Sequence, residues 1–198
     1  MMRTTTLIRF AALVALIAGI TGQGFAVETG ATVRFRDLTL KVPPDWEQEE
    51  PNSRLRLGQF RIPAAKDDKA DAELAIFSFG AGGGIDSNIR RWVGQFQPEQ
   101  RKLQITSGKS EQGQYFLVDL SGTYNQPVGP PIQRMTKPVP GTRMLSVILV
   151  IEEKGVYFLK LVGPQETVGP RVAAFRESFG GDADQEKEYK LADEGGGR

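Results

Sequence analysis

The chain has no cysteine and no histidine among its 198 residues. The first absence rules out disulfides, so stability has to come from core burial. It also rules out lipid attachment at an N-terminal cysteine. Together the two absences remove cysteine nucleophiles, histidine bases, Ser-His-Asp triads and nearly every zinc site. Carboxylates, lysine, tyrosine, serine and threonine are what remain for chemistry, with a hard-cation site on oxygen ligands still open in principle. No metal site and no cofactor is expected. Charge of one sign is missing too. Taking Arg3 and Arg9 of the N-terminal segment from 25 basic residues leaves 23 against 24 acidic ones. Such a balance gives no footprint for nucleic acid or for an anionic membrane surface.

Long apolar runs are also few. One runs from Phe10 through Ile20, behind Arg3 and Arg9, and ends in the small-residue stretch Gly24-Phe25-Ala26. Basic start, short apolar core and small residues before a cut have the order of a secretory signal peptide; an uncleaved anchor shares the first two features. The expectation is residues 1–26 as signal peptide, export to the periplasm or the medium, and no membrane span after cleavage. The remaining 172 of 198 residues suffice for one domain. We expect that domain over 27–180, with a disordered polar tail over 181–198.

Inside the domain, period-2 alternation dominates. Val33 and Phe35 alternate in one phase and Leu38, Leu40 and Val42 in the other, which sets a turn or bulge at Arg36-Asp37. Pro43-Pro44 stops the strand, and Trp46 folds back as an anchor. Gly58 marks a phase switch between Leu55-Leu57 and Phe60-Ile62, while Arg54, Arg56 and Arg61 read as a solvated face. Leu74 to Phe79 is apolar on both faces, as a central strand is. Ile89, Trp92, Val93 and Phe96 then follow helical spacing, with Asp86 or Ser87 as cap, Gly94 inside and Pro98 as stop. Leu103 and Ile105 mark a strand, Gly108 to Gly113 a turn, and Tyr115 to Leu120 a buried strand. Asn125 to Gly141, with five prolines, reads as a long loop. Met144–Ile151 and Val156–Val162 form a hairpin, and a last helix runs from Thr167 to Phe179 with Gly180-Gly181 closing it.

Three motifs bear on chemistry. Ser107-Gly108-Lys109-Ser110 lacks the first glycine of a phosphate loop and lies between strands, so it reads as a turn. Phe116 to Thr123 has the flavour of an aspartic-protease loop, but Leu120 separates Asp119 from Ser121-Gly122 and no second copy exists to share a proton. Asp119 therefore reads as a strand carboxylate paired with an arginine, Ser121, Thr123 or Tyr124. The glycine cluster Gly80, Gly82, Gly83, Gly84 precedes a helix carrying Arg90 and Arg91, which makes it the better candidate for a small anion; a plain strand-to-helix link is the competing reading.

The order of these elements resembles the PsbP-like superfamily, which includes DcrB-like exported bacterial proteins. The elements that carry the resemblance are Leu38 to Trp46 with its Pro-Pro-Asp-Trp stop, Leu74 to Phe79, the hairpin Met144 to Val162, and Val168 to Phe179 ending Phe-Arg-Glu-Ser-Phe. The chain is also similar to a group of uncharacterised exported bacterial proteins that share the Trp-containing segment after a glycine run. The resemblance implies an α+β fold with a central antiparallel sheet sandwiched by helices, and an assembly, binding or accessory role. The resulting expectation is a non-enzymatic envelope domain whose partner is another envelope protein or a small anion. Its contact surface would join Gly80, Gly82, Gly83, Gly84, Arg90 and Arg91 to the loop around Pro130 and Pro131. The alternative is a carboxylate-dependent hydrolase using Asp119 with Tyr124.

Overall fold

The structure, a computed structural model, describes residues 30–79, 83–129, 133 and 135–192. The expected signal segment through Ala26 lies outside them, as do Gly80, Gly82, Pro130 and Pro131. Strands β1 (Ala31–Phe35) and β2 (Leu38–Val42) make a hairpin. The phase change at Arg36-Asp37 is its turn, with Arg36 at φ 57°. Eight further strands form one antiparallel sheet: β3 (Glu47–Glu49), β4 (Arg56–Ile62), β5 (Ala72–Ser78), β6 (Lys102–Ser110), β7 (Gly113–Pro127), β8 (Thr136–Ile151), β9 (Gly155–Pro164) and β10 (Lys187–Glu188). Their order across the sheet is β10-β6-β7-β8-β9-β5-β4-β3. Helix α1 (Ile85–Val93) follows β5; α2 (Gln165–Val168), a 3-10 turn (Gly169–Arg171) and α3 (Val172–Ser178) follow β9. Among the described residues no helix is long and apolar enough to cross a membrane. The fold is thus α+β, dominated by a large antiparallel sheet.

Strand alternation sends neighbouring side chains to opposite faces. Tyr115 and Leu117 of β7, Leu145, Val147 and Leu149 of β8, and Leu159 and Leu161 of β9 share one core with Leu38, Leu40, Trp46, Phe175 and Phe179. Phe116, Val118, Leu120, Met144, Ile148 and Phe158 face the other way and pack with Ile89, Trp92 and Phe96. The first face is covered jointly by the β1–β2 hairpin and the α2–α3 segment rather than by a helix alone. On the second, α1 accompanies the β6–β9 half, while β4 and β5 present Arg56, Gln59, Arg61 and Glu73 to their own surroundings. These side chains pair laterally: Arg56 with Glu73 at 2.9 Å, Gln59 Nε2 to Glu49 at 3.0 Å, and Arg61 with Asp71 at 2.9 Å.

Gly58 and Gly108 each make room for an aromatic ring from another strand. A Cβ on Gly58 would lie 2.3 Å from the Phe35 ring, and the β4–β5 register slips between Arg56 and Gly58. A Cβ on Gly108 would lie 2.5 Å from the Tyr115 ring. That second contact corrects the expected turn at Gly108–Gly113. Gly108 sits inside β6 opposite Tyr115, and the reversal is confined to Glu111-Gln112 between Ser110 and Gly113.

Three more expectations change. The long loop over Asn125–Gly141 is the outer half of the β7–β8 hairpin, and only 128–135 lies between the strands. Val128 N–H donates to Met135 at 3.0 Å and Asn125 N–H donates away from the hairpin to Gln95 at 2.8 Å. Peptide groups of residues 125, 127, 136 and 138 therefore point outward. Pro127 and Pro138 occupy two of these places, where a missing N–H costs no ladder bond and blunts a free edge. Helix α1 ends at Val93, so Gly94 caps it rather than weakening its interior; Phe96 forms a bridge with Tyr124. Finally, of the segment expected to be a disordered tail, residues 181–192 are among those described, and they pack on the sheet. β10 pairs with β6, and the Tyr189 ring packs edge-on against Phe116 at 4.9 Å. The polar side chains that suggested disorder are the ones that fasten it. Glu186 accepts from Arg176 at 2.8 Å and from Thr106 at 2.7 Å.

Candidate functional site

Of the expected glycine–proline surface, Gly80, Gly82, Pro130 and Pro131 lie outside the described residues, and the described strands that flank them run to opposite ends of the sheet. β5 runs antiparallel to β9, which pairs Ser78 with Tyr157 and Glu73 with Val162. Its C-terminal end, from which the glycine run leaves, therefore lies beside the β8–β9 turn. The tip of the β7–β8 hairpin projects from the opposite end of the sheet. Gly83 and Gly84 are at the first end, the flanks of Pro130 and Pro131 at the second.

Nor is the start of α1 open for an anion. Gly84 is its N-cap, without a capping side chain. The Asp86 carboxylate, expected as cap, instead accepts from the Tyr189 hydroxyl at 2.7 Å and from the Ala192 N–H at 2.8 Å. The tyrosine bond, then the backbone bond and Arg90, hold Asp86 below the ordinary carboxylate range despite some desolvation. Arg90 stands 4.0 Å from Asp86 and also donates to the Ala192 carbonyl. The positive end of the helix dipole thus already has an acid of its own and the C-terminal segment beside it. Arg91, one position on, is exposed and donates to Asn88 Oδ1 at 2.7 Å.

Asp119 is paired with arginine, one of the partners its sequence context offers. Arg143 Nε and a terminal nitrogen grip its two oxygens at 2.9 and 2.6 Å. The hydrogen bond to Asp119 raises the Arg143 pKa still further, against some desolvation. Asp119 projects to the face opposite Val118 and Leu120, whereas Tyr124 belongs to the core containing those two residues. The proposed Asp119–Tyr124 acid–base pair is therefore not brought together.

What does gather is a cleft of ≈ 860 Å³ at the base of the hairpin arm. Its walls are the loop Asp67–Asp71 with Glu73, the arm residues Tyr124, Gln126 and Val139–Thr142, and the β9–α2 junction Val162–Glu166. These three segments are remote in sequence and meet because Gly163 packs on Ala72 where β9 ends and β5 begins. The Tyr124 phenol is buried 7% exposed, and desolvation first, then Glu73, pushes its pKa up. Among the described residues no set of three His, Cys, Asp or Glu side chains is placed to hold a metal.

Beside Tyr124 is a group that sequence reasoning passed over. Lys160 Nζ donates to Gln95 Oε1 at 2.7 Å and to the Tyr124 hydroxyl at 3.2 Å, and lies 5.2 Å from the Tyr124 ring centroid. Burial first, then Arg56, with Arg91 a smaller cause and Glu73 opposing, lowers its pKa to about 8. One signal was present: Lys160 is the lone charge within Val156–Val162. Its partner across β8 is Ser146, which is fully buried with a hydroxyl that has no partner among the described residues. A serine that no substrate can touch is no nucleophile, whatever lysine stands beside it.

No protein-family model matches the sequence, and no curated protein matches it. Among solved structures it is similar to the solution structure of cyanobacterial PsbP (CyanoP) from Synechocystis sp. PCC 6803, with a TM-score of 0.46 and 10% identity, over 87% of this chain and 99% of that one.

Proposed function

We propose that the chain is an exported, non-catalytic binding or accessory domain of the cell envelope, and that the cleft at the base of the β7–β8 arm is where it engages another envelope protein. The observation that carries this reading is the cleft itself: ≈ 860 Å³, open, and walled by three separate segments. Concave sites where segments meet are the usual place for recognition. The engagement of Asp119 by Arg143 favours binding over carboxylate catalysis. Export rests on the order of charges, apolar core and small residues over 1–26. The PsbP-like arrangement, with helices on both faces of the sheet, belongs to the same reading. It is supported by Ile89 and Trp92 packing on one face and Phe175 and Phe179 on the other.

Photo-crosslinking in the native envelope tests it. A photoreactive residue at Gln126, in the cleft wall, should capture a discrete partner, and one at Lys41, on exposed β2 surface, should not. Equal capture at both positions, or none at Gln126, overturns the cleft. The intact mass of the recovered protein should begin after Ala26; a membrane-retained chain that keeps its N-terminal methionine overturns the export reading.

A further inference from the structure

We propose that the half of the sheet face beside α1 carries a second site, for a carboxylate attached to an apolar or aromatic body, with Lys160 and Arg91 holding the carboxylate and Phe77 and Phe79 taking the body. The site does not rest on the cleft reading.

The first support is an unbalanced cation. Lys160 points to the same face as Phe158 and Val162, and its register partner on β5 is Ala75. Ala75 offers the ammonium no polar partner from that strand. An ammonium has three donors. Two go to neutral oxygens, those of Gln95 and Tyr124, and among the described residues no carboxylate lies within 4.0 Å. Glu73 is the acid whose charge it feels, and that carboxylate is spent on Arg56 at 2.9 Å. Arg91 approaches from α1; its hydrogen bond goes to a neutral oxygen, that of Asn88. The charged groups facing Lys160 are thus Arg56 from β4, Glu73 from β5 and Arg91 from α1, with the neutral phenol of Tyr124 from β7. Arg56 is paired with Glu73, whereas among the described residues neither Lys160 nor Arg91 has a carboxylate within 4.0 Å. A half-buried ammonium without a counter-ion is costly, and its pKa of about 8 reflects that cost. A bound carboxylate removes it, through charge-assisted hydrogen bonds strengthened by partial desolvation.

The second support is the aromatic shelf next along the sheet. Phe79 is 46% exposed, stacks on Phe77 at 5.7 Å and touches Phe158 at 5.9 Å. Phe158 in turn meets Trp92 of α1 edge-on at 6.2 Å. The Arg56 guanidinium lies 5.9 Å from the Phe77 centroid, which ties the shelf to the cations. Leu55, 66% exposed, precedes Arg56, whose register partner is Phe77. An anion alone would leave the shelf unused, and an apolar molecule alone would leave Lys160 and Arg91 without an acid.

The test titrates the mature protein with 4-phenylbutyrate, followed by amide spectra and by the Lys160 side-chain carbon signals. Saturable shifts are expected at Phe77, Phe79, Gln95 and Lys160, with the Lys160 pKa raised on binding. Affinity should fall about tenfold or more above pH 9, where the amine is neutral. Acetate and 4-phenylbutylamine, each lacking one half of the recognition, should bind about tenfold more weakly or not at all. Lys160→Met and Arg91→Gln should each weaken 4-phenylbutyrate about tenfold; Arg91 is exposed, so its variant keeps the test decisive if Lys160→Met does not fold. Substitutions at Gln126, in the cleft, should have no effect. Absence of shifts at these residues, equal binding of 4-phenylbutylamine, or wild-type affinity in folded Arg91→Gln would each refute the site.

Discussion

Replacing Glu186 by alanine should release the C-terminal segment from the sheet. The Glu186 carboxylate accepts four hydrogen bonds: two from Arg176 at 2.8 and 3.2 Å, one from Thr106 at 2.7 Å and one from Tyr115 at 3.2 Å. Its side chain is 4% exposed and that of Arg176 17%. Deleting one partner of a buried pair strands the other and costs about 3–5 kcal/mol. Residual exposure lets water reach the Arg176 guanidinium, which lowers the expectation to about 2–4 kcal/mol. For a chain of this size that is a drop in Tm of roughly 5–12 °C. Urea unfolding gives the free energy, and hydrogen exchange gives the place. The amides of Lys187 and Glu188, and of Tyr189, which bonds Ile105 at 2.9 Å, should lose protection before the core does. Arg176→Met should cost less than Glu186→Ala, because the carboxylate keeps Thr106 and Tyr115. The double variant should cost well under the sum of the two, since no charge remains stranded. A loss below about 0.5 kcal/mol, or strict additivity, would refute the claim that this pair fastens the segment.

Trp92→Ala and Phe175→Ala each remove a ring from one of the two cores and should cost about 3–5 kcal/mol by chemical denaturation; losses near 1 kcal/mol for both would contradict the packing. Pro127→Thr combined with Pro138→Thr restores outward N–H groups on the arm and should promote concentration-dependent self-association beyond that of the wild type in sedimentation runs; a sedimentation profile identical to the wild type's at all concentrations would show that these prolines do not guard the edges. Asp86 has its folded pKa below the unfolded one, so its contribution is full above about pH 4 and is lost as pH falls through the folded value. The Tm advantage of the wild type over Asp86→Asn should therefore hold at pH 6 and shrink towards pH 2, and an advantage independent of pH would rule out the carboxylate as its source.

Local periodicity carried much of this fold. The turn at Arg36-Asp37, the bulge at Gly58, the β8–β9 reversal and the stripe of Ile89 and Trp92 all arise from neighbours in sequence, which is what alternation and helical spacing report. Failures occurred where a distant residue decides. Gly108 looks like turn punctuation until the Tyr115 ring is seen to fill its place. Pro138 looks like a loop residue until its peptide is found at a free edge. The segment after Gly181 looks unable to order itself, and alone it would be. It borrows Arg176, Thr106 and Asp86, each 10 to 106 positions away. The candidate site was less legible still. Lys160 stood out only as a single charge in an apolar run, and nothing local connects it to Gln95, Tyr124 or Arg91.

The two halves of the α1-side face do different work. Under α1 the strands contribute Phe116, Val118, Leu120, Met144, Ile148 and Phe158, an apolar layer whose burial stabilises the domain. On β4 and β5 the same face bears Arg61, Gln59 and Glu73. The Arg61 pair with Asp71 joins side chains 39% and 40% exposed, and ion pairs so open to water add little. The Arg56–Glu73 pair, with side chains 18% and 36% exposed, is the more sheltered one of this half. Lys160 stands at the seam between the halves, with the apolar layer supplying its desolvation and the polar half supplying Arg56 and Glu73. A lysine wholly in the first half would be driven neutral, and one wholly in the second would be an ordinary solvated charge. Only at the seam is the ammonium both charged at neutral pH and short of an acidic partner, and there the exposed ring of Phe79 packs on Phe158, two residues before it on the same strand.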